Sequence, residues 1–150
     1  MMYTHNQTNF PYEVIEKDYY VTMLLKLLSD KIPYIVFKGG TSLSKCYKVI
    51  KRFSEDIDIT IDDNLTQGQK KRVKQAIIDS AAQLGMTTDN IENIRSRRDY
   101  NRYLITYKTI IPSKNKTLST TIILETSYIS VSFPTNILPV SSFVGNELLK

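Results

Sequence analysis

Asp56 and Asp58 stand two positions apart in the run Ser54-Glu55-Asp56-Ile57-Asp58-Ile59. If that run is extended, the spacing has a chemical meaning. Side chains two apart on a strand leave the same face, so both carboxylates share one patch. Carboxylates held that close repel each other unless protons or a cation intervene. A divalent cation, Mg²⁺ or Mn²⁺, answers the need, because Mg²⁺ takes carboxylate oxygens together with substrate phosphate oxygens and keeps some of its waters. A third carboxylate on a neighbouring strand would complete a two-metal centre for phosphoryl or nucleotidyl transfer. Glu125 is the candidate: it ends Thr121-Ile122-Ile123-Leu124-Glu125 and, on a strand, faces away from Ile122 and Leu124.

Upstream lies Lys38-Gly39-Gly40-Thr41-Ser42. Two glycines between a strand and a helix let the backbone come close to a bulky anion. The helix that follows offers unpaired N–H groups and a positive dipole end to phosphate. The hydroxyls of Thr41 and Ser42 can add hydrogen bonds, and Lys38, Lys45 and Arg52 are the nearest cations able to neutralise a triphosphate. Alone, a glycine pair is ordinary turn chemistry, and an Asp-x-Asp is a solvated turn or structural ion site. Joined through a predicted helix and followed by a third acidic strand residue, they describe one nucleotide- and metal-binding centre.

The elements that must position these residues are readable from periodicity. Val21, Leu24, Leu25 and Leu28 form an apolar stripe at helical spacing and predict a helix from Tyr12 to about Ser29, closed by Pro33. Tyr34-Ile35-Val36-Phe37 predicts a short buried strand. Thr41 or Ser42 caps a helix running to about Lys51. Ile57, Ile59 and Ile61 alternate with polar residues, as on a strand with one apolar face. Thr66 with Gln69 is a capping-box pattern, Val73, Ala76, Ile77, Ala81 and Leu84 continue it as a helix, and Gly85 caps the end. Further on, Tyr103–Ile111 and Thr120–Thr126 predict two strands joined by a turn at Lys114-Asn115-Lys116. The tail from Phe133 reads as irregular. Alternating helices and strands followed by a hairpin or meander predict a mixed α/β (α+β) sheet flanked by helices.

The chain has 150 residues, 41% hydrophobic and 23% charged, which suits one soluble domain. It contains no apolar run of the roughly 20 residues needed to span a bilayer and no basic-then-apolar leader, so no membrane is expected. Cys46 is the only cysteine; it reads as a packed apolar residue and agrees with a cytoplasmic location. The net charge of +5 favours an anionic partner. Lys70, Lys71, Arg72 and Lys74 form one basic cluster and Arg95, Arg97, Arg98 and Arg102 another. Each reads first as a solvated face and second as a phosphate-contacting surface. Tyr19, Tyr20 and Tyr34 read as core or half-buried. Tyr100 and Tyr103, interleaved with Arg98 and Arg102, are the tyrosines best placed for RNA contact. Lys17 and Asp18 fit either a surface pair or side chains leaning toward the site, and His5 falls in an irregular start.

Phe37-Lys38-Gly39-Gly40-Thr41-Ser42-Leu43-Ser44-Lys45 and Arg52-Phe53-Ser54-Glu55-Asp56-Ile57-Asp58-Ile59 resemble the AbiEii/AbiGii family of nucleotidyltransferase toxins, a group that includes the MenT toxins. Ile15-Glu16-Lys17-Asp18-Tyr19-Tyr20-Val21-Thr22 is similar to the family's lead-in helix. The match is close over about residues 12 to 62 and thins afterwards. The resemblance implies a DNA polymerase β-like nucleotidyltransferase core that binds an NTP, GTP or another, with Mg²⁺. It assigns Gly39 and Gly40 to the triphosphate and Asp56, Asp58 and Glu125 to metal. It further implies transfer of a nucleotide to RNA, notably the tRNA 3′ end, within a type IV toxin–antitoxin or phage-defence system, and a separate antitoxin of the AbiEi kind. Family toxins commonly run to about twice this length, with a helical C-terminal part. Residues 1–150 are accordingly expected to form a single nucleotidyltransferase core without that part. Two alternatives stand beside an active toxin domain: a non-catalytic nucleotide- or partner-binding remnant, and a metal-dependent phosphoesterase using the same carboxylates.

Overall fold

The apolar stripe on Val21, Leu24, Leu25 and Leu28 lies on a helix in the computed structural model, which describes residues 10–39, 56–62, 64–112 and 118–129. This helix, α1 (Tyr12–Lys31), ends where Pro33 forces the preceding Ile32 out of helical geometry, at φ −131° and ψ 79°. The chain then enters β1 (Ile35–Lys38) and, further on, β2 (Ile57–Ile61). Helix α2 (Gln67–Gln83) opens with the predicted capping box. Thr66 Oγ1 accepts from the Gln69 N–H at 3.2 Å, and Gln69 Oε1 accepts from the Thr66 N–H at 2.8 Å. It closes on Gly85 at φ 73°, with the Met86 N–H on the Ala81 carbonyl and the Gly85 N–H on that of Ala82. That is the Schellman pattern, and it needs a residue at ease in the left-handed region.

Two strands complete the predicted sheet, β4 (Tyr100–Thr106) and β5 (Thr121–Tyr128), with a two-residue β3 (Thr87–Thr88) and a single 3₁₀ turn (Ile91–Asn93) before them. These last two are too short to leave a periodic signal. The sheet order is β1-β2-β5-β4-β3. Strands β2 and β5 run parallel and the remaining pairs antiparallel, so the sheet is mixed, as expected.

Register sorts the side chains cleanly. Ile57, Ile59 and Ile61 share a face with Leu124, Tyr103, Ile122 and Ile105. Against this face pack Val21, Leu24, Leu25 and Leu28 of α1 and Val73, Ile77 and Ala81 of α2, in one continuous core. Both helices therefore cover one side of the sheet, and the opposite side carries the polar alternates.

Several expectations need correction. The strand predicted over Tyr103–Ile111 lies instead at Tyr100–Thr106, because α1 captures the residues that follow. Thr109 Oγ1 donates to Glu16 Oε1 at 2.6 Å, and the Ile110 N–H donates to Glu16 Oε2 at 2.9 Å. A β-prone run is thus drawn off the ladder by a buried carboxylate. Lys17 and Asp18 are both buried rather than a surface pair, and Lys17 Nζ donates to the Ser119 carbonyl at 2.9 Å. Lys70 is buried too, with Nζ 4.6 Å from the centre of the Tyr128 ring and 3.8 Å from Asp99 Oδ1. Its cluster with Lys71, Arg72 and Lys74 is therefore not one solvated face. Tyr19 and Tyr34 are exposed rather than half-buried. The predicted helix after Ser42, the turn at Lys114–Lys116, the tail from Phe133, His5 and Cys46 lie outside the described residues. Among the described residues, no helix is long and apolar enough to cross a membrane.

Candidate active site

The polar face of the sheet carries one row of charged residues across four strands. Lys38 of β1 lies opposite Asp58 of β2, Asp58 lies opposite Glu125 of β5, and Glu125 lies opposite Arg102 of β4. Directly paired residues project to the same side of a sheet. The two acids therefore sit side by side at its centre, with a cation on each flank.

Asp58 shows the electrostatic consequence. Its carboxyl is held above the ordinary value of 3.8, first by burial, then by a hydrogen bond with Glu125 and by the negative charge of Glu125. Asp56 pushes in the same direction more weakly, and Lys38 opposes them. A proton shared between the two carboxyls would relieve their repulsion. A divalent cation would relieve the same repulsion in the proton's place.

Gly39 sits against this pair. Its φ is 80°, and a Cβ added there would overlap Asp58 Oδ2 and lie 3.2 Å from Asp58 Cγ. Gly39 thus has two reasons to be glycine, one in the backbone and one in the acid behind it. Lys38 precedes it at the exposed end of β1.

Glu125 has a further partner. The Tyr100 hydroxyl donates to Glu125 Oε1 at 2.8 Å. That bond, ahead of burial and the charge of Glu125, holds the Tyr100 hydroxyl above its ordinary value of 10.0. Tyr100 remains 51% exposed. Tyr103, paired with it in the sequence reading, faces the other way and lies 2% exposed in the core. Three residues along a strand reverse the face, so the two cannot form one aromatic surface. The register that places Tyr100 near Glu125 was not readable from the sequence; the shared parity of Tyr100 and Arg102 was the only signal.

Asp56 lies one residue before β2 begins and is exposed. It acts on Asp58 through its charge, yet the three acids do not gather. Among the described residues, no group of three or more His, Cys, Asp or Glu could hold a metal ion as they stand. The donor set still fits a hard cation: oxygen ligands only, two of them already forced together, and a third charge adjacent. Gly40, Thr41, Ser42, Lys45 and Arg52 lie outside the described residues.

Residues 24–148 match the family model of the nucleotidyl transferase AbiEii toxin of type IV toxin–antitoxin systems. No curated protein matched. Among solved structures, the fold is similar to that of MenT4, a nucleotidyltransferase toxin from Mycobacterium tuberculosis. The TM-score is 0.57 and the identity 22%, over 87% of this chain and 43% of that one. The chain thus spans less than half the length of that protein.

Proposed function

The chain belongs to the AbiEii family of nucleotidyl transferase toxins, and on that premise we propose that it transfers a nucleotide from an NTP to RNA. The observation that carries this reading is Asp58 facing Glu125 on adjacent parallel strands, beside the Lys38–Gly39 turn. In the proposed site, Lys38, Gly39 and Gly40, with Thr41, Ser42, Lys45 and Arg52, hold the triphosphate. Asp56, Asp58 and Glu125 would hold Mg²⁺ (or Mn²⁺), which when bound supplies positive charge to the reacting phosphate. The acceptor hydroxyl forms a bond to the α-phosphorus as the α–β phosphoanhydride bond breaks. Pyrophosphate leaves, and the hydroxyl proton passes to a site carboxylate. Lys38 and the glycine turn neutralise and orient the departing phosphates.

The NTP is GTP or another, and the acceptor is RNA, with the tRNA 3′ end the first to try. The chain is a single nucleotidyltransferase core acting in the cytoplasm, restrained by an AbiEi-type antitoxin and engaged in phage defence. The test is incubation with labelled NTPs, Mg²⁺ and total tRNA. Label is expected in the RNA fraction, lost when Asp58 is replaced by Asn. No transfer by the unaltered chain, where a full-length relative is active, would refute the reaction. GTP binding without transfer would then identify a nucleotide-binding module instead.

A further inference from the structure

The Asp58–Glu125 pair divides its face of the sheet into two sides. Toward β1 stand Lys38 and the Gly39 turn. Toward β4 stand Arg102, directly across the ladder from Glu125, and Tyr100, two residues before it on the same side of the strand. The Arg102 side chain is exposed and makes no hydrogen bond or ion pair with any described residue, Glu125 included. A guanidinium in that state keeps all its donors for an incoming phosphate. Tyr100 is pinned at its hydroxyl by Glu125 and otherwise 51% exposed. The bond occupies only the hydroxyl at the ring's edge, and half of the residue stays accessible to a stacking base.

Displacement at phosphorus places the attacking and leaving oxygens roughly in line, on opposite sides of the reacting atom. With the triphosphate on the Lys38–Gly39 side, the attacking hydroxyl comes from the β4 side. Resting on the nucleotide-transfer reading above, we infer that β4 carries the acceptor subsite. There the 3′ end of a single-stranded RNA stacks a base on Tyr100 and sets a backbone phosphate against Arg102. An unpaired end fits because only unstacked bases can meet an aromatic face.

The test needs no turnover. A labelled single-stranded oligoribonucleotide with a free 3′ hydroxyl is titrated with the full chain and followed by fluorescence anisotropy at several salt concentrations. GTP affinity in Mg²⁺ is measured in parallel by calorimetry. Tyr100→Ala and Arg102→Glu are each expected to weaken RNA binding about 10-fold. Arg102→Glu should also flatten the salt slope by about 0.7, the value for one single-strand phosphate. Tyr100→Phe keeps the ring and should stay within about twofold of the unaltered chain. So should Arg72→Glu, the same charge reversal placed on α2 behind the sheet. GTP affinity should hold within about twofold in all four, which also certifies that they fold.

RNA affinity unchanged in Tyr100→Ala and Arg102→Glu would overturn the subsite. So would a loss in Arg72→Glu equal to that in Arg102→Glu, a loss in Tyr100→Phe equal to that in Tyr100→Ala, or GTP affinity falling in step with RNA affinity. Absence of RNA binding by the unaltered chain overturns it too. A chain that shows the predicted pattern yet transfers no nucleotide refutes the reaction and leaves the RNA subsite. An active chain without the pattern refutes the subsite alone.

Discussion

At the scale of single residues, the tightest constraint on the site is steric. Gly39 is held at φ 80° with Asp58 where a side chain would have to go. Gly39→Ala is expected to cost about 1–2 kcal/mol from the backbone alone, with a further cost as the Asp58 carboxylate is pushed aside. Urea denaturation measures the first, and Mg²⁺-dependent GTP binding should fall with it. An alanine variant matching the unaltered chain in both would remove Gly39 from the site. Asp58 makes the opposite trade. Its raised carboxyl means the folded chain binds that proton more tightly than the unfolded chain does. In metal-free protein its contribution to stability is fully present below 3.8 and is lost as pH rises from there through the raised value. Asp58→Asn keeps the shape and removes the repulsion. In chelator at pH 7 it should therefore melt above the unaltered chain, while nucleotide transfer drops about 100-fold or more. A lower melting temperature for this variant would show that the pair is not a source of repulsion.

At the scale of elements, α1 does more than cover the sheet. Besides Glu16 on Thr109 and Ile110, Glu13 Oε2 accepts the Leu118 N–H at 2.9 Å, and Lys17 donates to Ser119. One helix thus grips both ends of the connection between β4 and β5, the strands that carry Arg102 and Glu125. Glu16→Ala strands the Ile110 N–H and the Thr109 hydroxyl, and should cost about 1–3 kcal/mol. Amide exchange at Ile110 should accelerate well beyond that of the α2 amides; equal protection in both proteins would mean that Glu16 is not the clamp. The same contacts mark where sequence reading stops. Helix α2 was legible from Thr66 to Gly85 because its capping box, apolar stripe and terminal glycine are all local signals. The faces of Asp58 and Glu125 were legible from two-residue alternation. Their register was not, since pairing between distant strands is set by the whole sheet. The end of β4 was misread for a related reason: Thr109 and Ile110 have strand propensity, and a carboxylate 93 and 94 positions away outbids it. Buried Lys17 and Lys70 were missed because their partners, Ser119 and Tyr128, become neighbours only on folding.

At the scale of the molecule, the described residues form two layers, with α1 and α2 on one face of the sheet and the acids on the other. A ligand on that side binds only the folded chain, so nucleotide with Mg²⁺ should stabilise by mass action. At 100 times the dissociation constant, the gain is about 2.7 kcal/mol. Thermal melting should rise accordingly with GTP and Mg²⁺ together, and Asp58→Asn should abolish the shift. An equal shift in that variant would place the nucleotide elsewhere. The parallel pairing of β2 with β5 also has a consequence in time. Asp58 and Glu125 meet only after α2, β3, β4 and the connection gripped by α1 have been made, because parallel neighbours cannot be joined by a tight turn. Such long-range pairing forms late, after the entropy of closing the intervening chain has been paid. A chain emerging from the ribosome therefore displays the glycine turn and Asp58 well before it owns Glu125. Assembly of the acid pair therefore coincides with completion of the sheet.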